Sequence, residues 1–269
     1  MKSKITALTS LIFLAALSSC TSLFTPAIMG NNMGYIPKAM GTDSVRTLTT
    51  VSASYAGAVS RNPGPSFEFG MANISRSNTF KVWNISYGIY GYAGNASYRE
   101  NNNTDDLKDY LPGFKKSAAG LGLRFSTGLQ HTSANQNTDF RYLTFENAIS
   151  FEGGDYARFR QEVYNAPLPD YVAVTNRKVL WTTGLSTEIM WRARRNHDIR
   201  HAFRLFIGGT PNFADSFRSG VKAYDELRGK NSMGWVFNYF FYIHRFSLSY
   251  EMADNVNYAQ KITLGYSFR

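Results

Sequence analysis

A strict alternation of side chains runs through Ala119-Gly120-Leu121-Gly122-Leu123-Arg124-Phe125-Ser126-Thr127-Gly128-Leu129. One face of this stretch is mostly large and apolar, whereas the other consists of glycine, serine and arginine. A period of two predicts a β-strand whose faces meet different surroundings. The same period recurs in residues 83–90, 143–151, 181–191 and 261–268. The chain is therefore predicted to be all-β.

Collecting every such run predicts ten strands. They cover residues 45–57, 66–75, 79–92, 117–131, 138–152, 177–191, 200–209, 233–243, 245–252 and 257–268. An even number is typical of single-chain bacterial outer-membrane barrels, which have short periplasmic turns and longer extracellular loops. The connections after strands two, four, six and eight are short, the first of them being Arg76 to Asn78, and three of the others are long. This sorting predicts an antiparallel up-and-down transmembrane β-barrel over residues 45–269.

The composition agrees with this prediction. Aromatic residues make up 15% of the 269 residues and there are 22 glycines, while the mean hydropathy is slightly negative. Only one face of each barrel strand meets lipid, so a barrel is less hydrophobic overall than a bundle of membrane helices. The formal net charge of +10 could suit a nucleic acid. Export makes that partner unlikely, and no nucleic acid is predicted.

Two tryptophans give a length check. Trp181 and Trp191 lie on the same predicted strand face, ten residues apart. A strand tilted by about 40° separates them by roughly 25 Å along the membrane normal, which is the height of the apolar band between two aromatic girdles. The spacing favours a membrane-embedded barrel over a soluble one.

The amino-terminal segment predicts export. Lys2 and Lys4 precede an apolar stretch at residues 5–17, which suits a signal peptide and is too short to span a bilayer. The following Leu17-Ser18-Ser19-Cys20 resembles the bacterial lipobox. This resemblance implies that residues 1–19 are cleaved and that Cys20, the one cysteine of the chain, carries diacylglycerol and palmitate.

Residues 20–44 contain Pro26 and Pro37 and several glycines without a sustained period. They are predicted to form a lipidated tether or a plug-like extension without regular structure. Because the lipid would place the start of the chain in the periplasm, we expect this segment at the periplasmic mouth.

The closing Gly265-Tyr266-Ser267-Phe268-Arg269 resembles the signal read by the outer-membrane assembly machinery, although Arg269 follows the last aromatic residue. Taken with the lipobox and the ten-strand pattern, the chain resembles the outer-membrane lipoprotein β-barrels of unknown function common in Bacteroidota. That resemblance implies an outer-membrane location and contributes no catalytic motif.

Seven charged residues fall on the strand face opposite the apolar one. They are Glu68, Arg124, Glu146, Glu188, Arg204, Glu251 and Lys261. Paired carboxylates could serve a hydrolase. A barrel of about ten strands has a narrow interior that side chains fill, however, and charges inside it must pair. We interpret the set as a structural network within the lumen, with no catalytic residue.

The four histidines, His131, His197, His201 and His244, all fall at the predicted periplasmic end. A barrel protease or lipid deacylase would need a histidine at the extracellular side or in the outer leaflet, so these readings lose support. Neutral imidazoles are common metal ligands. The spacing nevertheless predicts no metal site, and no cofactor is predicted.

The long connections are candidate recognition surfaces. Residues 155–165 place Tyr156, Phe159 and Val163 at helical spacing, which predicts a short amphipathic helix capping the barrel mouth, and residues 221–228 look similar. Residues 101–106 are polar and acidic. The simpler interpretation, which we prefer, is that these loops are solvated tips.

The leading hypothesis for function is a non-enzymatic structural or surface-binding barrel. Its expected partners are outer-membrane lipid, the assembly machinery and a surface ligand that the sequence does not name. Three alternatives stay open: a narrow small-solute channel, a membrane-embedded enzyme acting on lipid or peptide, and a lipid-anchored lipocalin-like binding barrel.

Overall fold

A computed structural model describes residues 22–60, 64–99, 112–193, 196, 198–220 and 233–268. Its elements are, in chain order, β1 (Ser22–Phe24), β2 (Thr47–Val59), β3 (Ser66–Thr79), β4 (Trp83–Tyr98), β5 (Phe114–Thr132), β6 (Thr138–Gly153), α1 (Asp155–Asn165), β7 (Val172–Thr175), β8 (Val179–Arg192), β9 (Ile199–Gly209), a 3-10 turn (Ala214–Ser216), β10 (Phe217–Ser219), β11 (Met233–Ile243), β12 (Phe246–Asn255) and β13 (Asn257–Phe268).

Ten of these strands form a closed antiparallel barrel, so the predicted fold class is confirmed. Each strand pairs with its neighbours in order, and the first and last barrel strands, β2 and β13, pair from Val59 with Tyr258 to Thr49 with Phe268. The first short turn is a correction. Arg76 and Asn78 still pair with β4, so the turn lies at residues 80–82 and not at Arg76 to Asn78.

The outward face of the barrel is apolar. Leu121, Leu123, Ile149, Leu185 and Leu264 are between 37% and 68% exposed, and they alternate with buried neighbours along each strand. An outward face this apolar suits lipid, and closure leaves no unpaired backbone edge in the hydrocarbon. The barrel therefore spans a membrane of the outer-membrane type.

An aromatic cluster is present at one of the two girdle levels that the sequence predicts. Trp181 and Trp191 share the outward face of β8, as the spacing predicts. Trp191 stacks on His201 at 5.3 Å between ring centroids, and His201 stacks on Tyr239 at 6.1 Å. These rings lie near the end of the barrel where the connections are short, at residues 80–82, 133–137, 193–198 and 244–245. We call this the short-turn end and the opposite one the long-loop end.

Residues 22–43, which we call the plug, run through the lumen. Residues 22–40 are buried, so the plug-like alternative is the arrangement that the structure shows. The expectation of no regular structure was wrong for β1, which pairs in parallel with β7, while β10 pairs antiparallel with β7 on its other side. This three-stranded sheet lies inside the long-loop end, because β7 belongs to the connection between β6 and β8.

The direction of the plug is a second correction. Ser60 Oγ, at the long-loop end of β2, donates a hydrogen bond to the Leu23 carbonyl oxygen at 3.0 Å. Asp43, by contrast, pairs with Arg192 at the short-turn end of β8. The start of the plug therefore lies at the long-loop end, and not at the short-turn end, which the sequence analysis expected to be the periplasmic mouth.

Helix α1 is confirmed at residues 155–165. Tyr156 and Arg160 of this helix are fully buried, and the Tyr156 ring meets Phe67 edge-on at 5.5 Å inside the mouth. Within the described part of the chain, no helix is long and apolar enough to cross a membrane. Cys20, His197 and the segments at 101–106 and 221–228 lie outside the described residues.

A charge placed on the outward face should destabilise the barrel more strongly the nearer it lies to the middle of the membrane. Leu123 lies midway along β5 and Val59 at the long-loop rim, and both face outward. Leu123→Arg is expected to lower the free energy of unfolding by about 2–4 kcal/mol, and Val59→Arg by about 0–1 kcal/mol. Urea unfolding in lipid vesicles, followed by heat-modifiable gel mobility, measures both. Equal losses at the two positions would contradict this membrane placement.

Candidate functional site: the plugged lumen

The lumen has two chemical layers. Toward the long-loop end the plug packs on apolar side chains, with Ile28 and Met29 in one buried cluster with Phe67, Phe69 and Phe206. Further down, the inward wall is largely polar or charged. Small inward residues make room along the axis for one chain, namely Ala56, Ala58, Ser75, Ser77, Ser86, Ser126, Ala148, Thr182, Ala202 and Ala253.

Glu188 joins the wall to the plug. Arg141 NH1 donates to its Oε1 at 2.7 Å, and the Tyr35 hydroxyl of the plug donates to the same oxygen at 2.5 Å. Lys38 Nζ, also from the plug, lies 3.4 Å from Oε2. All four side chains are almost completely buried. The carboxylate is thus shared between one cation of the barrel and one cation of the plug.

A second carboxylate is paired within the wall. Arg204 meets Glu146 through two parallel bonds, Nε to Oε1 at 2.8 Å and NH2 to Oε2 at 2.5 Å. Ser186 Oγ donates a further bond to Glu146. This fork geometry is the strongest arrangement open to a guanidinium and a carboxylate.

Glu251 and Lys261 form a third pair that also holds the plug. Their side chains are 3.1 Å apart. Lys261 Nζ donates to the Asn31 carbonyl oxygen at 3.2 Å, and Glu251 accepts the backbone N–H of Tyr35 at 3.3 Å. The pair therefore satisfies two polar backbone groups of the plug.

Arg124 donates hydrogen bonds to backbone carbonyl oxygens of the plug. Its Nε donates to the Asn32 oxygen at 2.7 Å and its NH2 to the Asn31 oxygen at 3.3 Å. Its guanidinium carbon lies 4.0 Å from the centre of the Tyr90 ring, which is a close cation–π contact. A Cβ atom on Gly34 would come within 2.4 Å of this guanidinium. A side chain at position 34 would displace the guanidinium, so glycine preserves this contact.

Glu68 does not belong to this network, which corrects the sequence-based prediction. It is exposed on the outward face of β3, close to the long-loop end. The prediction took the apolar face as outward throughout. Near the long-loop end Phe67 and Phe69 face inward onto the apolar layer, so Glu68 between them faces out. The other six predicted residues are buried and face the lumen.

Asp43 closes the short-turn end, and the sequence did not point to it. Its carboxylate lies 2.5 Å from Arg192 NH2 and 2.6 Å from Arg200 NH1. The neighbouring Gly41 N–H donates to Asp139 Oδ2 at 2.7 Å. The lower end of the plug is thereby fixed to β6, β8 and β9.

A bulge explains why Asp139 and Arg141 were missed. The pairing of β6 with β8 shifts between Arg141 and Thr144, where Tyr142 and Leu143 both face outward. Side chains before and after a bulge lie on the same face only if their parity differs. Counting in twos back from Glu146 therefore places Arg141 outside. The internal alternation of Asp139-Phe140-Arg141-Tyr142 was the available signal.

Two further groups fix the upper end of the plug. Glu152 forms a buried ion pair with Arg160 of α1 and accepts the Ala27 N–H at 2.7 Å. The Tyr156 hydroxyl of α1 donates to the Thr25 carbonyl oxygen at 3.0 Å. The helix therefore caps the mouth by binding the plug as well as the wall.

Helix α1 also has an acidic first turn. A hydrogen bond from Ser117 Oγ, at 2.7 Å, and the nearby Arg158 hold the pKa of Asp155 below its ordinary value. A negative charge at this position favours the helix N-terminus.

The described histidines lie at the short-turn end, as predicted. His201 Nδ1 is 2.8 Å from the Tyr239 hydroxyl, and His244 Nδ1 is 3.3 Å from Asp198 Oδ2. His131 is exposed. In the ranges that the structure describes, no group of three or more His, Cys, Asp or Glu side chains could hold a metal ion.

The arrangement neutralises charge and holds a chain in place. Five of the buried carboxylates lie against arginine or lysine, and several polar backbone atoms of the plug find partners in the wall. Removing any one partner would leave a charge in a desolvated lumen, which is costly. The geometry fits a structural network.

No protein-family model matches the chain, and no curated protein matches it. Among solved structures, the translocator domain of the autotransporter NalP from Neisseria meningitidis is 6% identical, with 86% of this chain and 90% of that chain covered and a TM-score of 0.44. OprG from Pseudomonas aeruginosa is 8% identical, with 82% and 96% covered and a TM-score of 0.38. The NanC porin is 10% identical, with 82% and 99% covered and a TM-score of 0.37.

Two glutamates of opposite orientation provide a matched test of the network. Glu188→Gln leaves Arg141 and Lys38 buried without their carboxylate and is expected to cost about 3–5 kcal/mol of unfolding free energy. Glu68→Gln changes an exposed side chain and is expected to stay within about 0.5 kcal/mol of the parent. Urea unfolding in vesicles distinguishes the two. A loss at Glu68 as large as that at Glu188 would restore Glu68 to the network.

Proposed function

We propose that this protein is a permanently plugged outer-membrane barrel with a non-enzymatic role at the cell surface. In this proposal residues 1–19 are removed, Cys20 is lipidated, and the barrel displays its long loops outward. The lumen is closed to solutes, so that the molecule acts through its outer surface.

One observation carries the proposal: the plug is bonded to the wall at every level of the lumen. Ser60, Glu152, Arg124, Glu188 and Asp139 each hold it, in order from the long-loop end to the short-turn end. These bonds involve charged or backbone groups that are desolvated together. Withdrawing the plug would expose all of them at once, which makes spontaneous opening costly.

The long-loop end supports the surface role. Helix α1 and the sheet of β1, β7 and β10 fill the mouth with regular structure. Arg218 of β10 binds the Ala166 carbonyl oxygen at 3.0 Å, which ties the sheet to the end of the helix. A mouth built in this way is a rigid platform on which loops can bind a partner. The ligand would be a molecule presented outside the cell.

A narrow channel is the second candidate, and the wall itself favours it. Without the plug the inward face is lined by small side chains and by paired charges such as Glu146 with Arg204. A polar lumen of this kind suits small hydrated solutes. The channel would conduct only while the plug is displaced.

Conductance across planar bilayers separates the two candidates. The intact protein is expected to be silent, and deletion of residues 22–40 is expected to produce discrete conductance steps because the axis is then open. Heat-modifiable migration verifies that each protein is a folded barrel. Steady conductance by the intact protein would favour the channel and overturn the plugged barrel.

An engineered disulfide tests the plug in cells. Asn32 Nδ2 and Thr182 Oγ1 are 2.6 Å apart across the plug and the wall. Asn32→Cys with Thr182→Cys should cross-link on oxidation and change the mobility of the unfolded protein on a gel. Asn32→Cys with Thr187→Cys is the control, since Thr187 faces outward. Cross-linking of the control pair alone, or of neither pair in folded protein, would contradict this position of the plug.

A further inference from the structure

We infer that the chain emerges on the outer face of the membrane at its amino-terminal side, so that the lipid proposed on Cys20 sits in the outer leaflet. The argument is one of parity. Ten strands alone return both ends of a barrel to the same side. The plug is an additional pass through the membrane, and ten strands plus one pass make eleven. The start of the plug and the end of the last barrel strand must therefore lie on opposite sides of the membrane.

The upper end of the plug is anchored among the elements of the long-loop end. The Ser22 N–H donates to the Tyr171 carbonyl oxygen at 2.8 Å, just before β7. Leu23 pairs with Ala173, and its carbonyl oxygen accepts the bond from Ser60. Asn257 Nδ2 donates to Thr25 Oγ1 at 2.8 Å. Asn257 follows the tight turn between β12 and β13, which also lies at the long-loop end.

The lower end is anchored among the short turns. Thr42 Oγ1 donates to the Gln136 carbonyl oxygen, at 3.3 Å, in the connection between β5 and β6. Asp43 pairs with Arg192 and Arg200, beside the connection between β8 and β9. The chain then enters β2 from this end at Thr47. The plug thus crosses once, in the direction opposite to β2.

Chain length limits how far Cys20 can lie from Ser22. Only Thr21 separates them, and two extended Cα-to-Cα steps reach at most about 7 Å. A lipid on Cys20 cannot return from the long-loop mouth to the inner leaflet over that distance. This step rests on the proposed lipidation and on the proposed orientation with the long loops outside.

Threading also constrains assembly. Gly30, with φ +87°, has its α-carbon so close to the wall that a Cβ atom would lie 2.8 Å from Ala259 Cβ on β13. A lumen filled this tightly cannot admit an acylated end afterwards. The plug must already be in place when β13 pairs with β2 and closes the barrel.

Protease cleavage on intact cells tests the inference. A recognition site for a specific protease is inserted between Thr21 and Ser22, and cells are labelled with a clickable palmitate analogue. Protease added to intact cells is expected to separate at least four-fifths of the label from the barrel. Two control insertions report the orientation, one between Pro167 and Leu168 near α1 and one after Asn135 in a short turn. The first should be cut on intact cells, and the second only after permeabilisation.

The outcomes are distinguishable. Cleavage at Ser22 only after permeabilisation, with the Pro167 site cut on intact cells, overturns the inference and leaves the proposed function standing. If, on intact cells, the Pro167 site is protected and the Asn135 site is cut, the proposed orientation is overturned. Absence of label in the parent protein overturns the lipidation. If the insertion prevents folding, Thr21→Cys replaces it. Its thiol should react with an impermeant maleimide on intact cells, whereas Ser44→Cys should react only after permeabilisation, and the reverse order overturns the inference.

Discussion

The structure depends on one constraint: inside a membrane every backbone N–H and C=O group must find its partner within the protein. Ten strands meet it by closing on themselves, with β13 paired to β2. Because many inward side chains are as small as Ala56 and Ser77, closure at this strand number leaves a lumen that they do not fill, contrary to the expectation from the sequence. The lumen must then hold water, large side chains or another segment of chain. This protein uses its own amino-terminal segment, and most features of its interior follow from that choice.

A chain on the axis brings polar backbone groups into a desolvated space, and charged side chains of the wall bind several of them. Arg124 and Lys261 meet carbonyl oxygens of the plug, while Glu152 and Asp139 meet its N–H groups. Each of these ions would be costly alone. Three of them are paired with an ion of opposite charge: Glu152 with Arg160, Lys261 with Glu251, and Asp139 with Arg141. The fourth, Arg124, lies over the face of the Tyr90 ring. The network and the plug are therefore one device, since each supplies hydrogen-bond partners to the other.

Much of the architecture could be predicted from the sequence, because a strand half in lipid must alternate. The ten strands, the sorting of connections and six of the seven predicted lumenal charges follow from that period, whereas helix α1 follows from its helical spacing. The prediction failed at two places, because it assumed that the apolar face always points outward and that the alternation is never interrupted. At Glu68 the lumen is apolar, so Phe67 and Phe69 turn inward. At Arg141 a bulge changes the parity of β6. The local chemistry of a lumen leaves no clear trace in one sequence, and the bulge is signalled only by the alternation within residues 139–142.

By itself, then, the sequence determined the barrel, its strand number and its lipid-facing surface, since these depend on local alternation. The tertiary structure alone decided what fills the lumen and which way the amino-terminal segment runs. Residues 22–43 have no period of their own, and their conformation is set by partners far along the chain, from Ser60 to Lys261. Long-range contacts of this kind are invisible to local patterns. They nevertheless decide on which face of the membrane the chain emerges, because one extra crossing reverses the side.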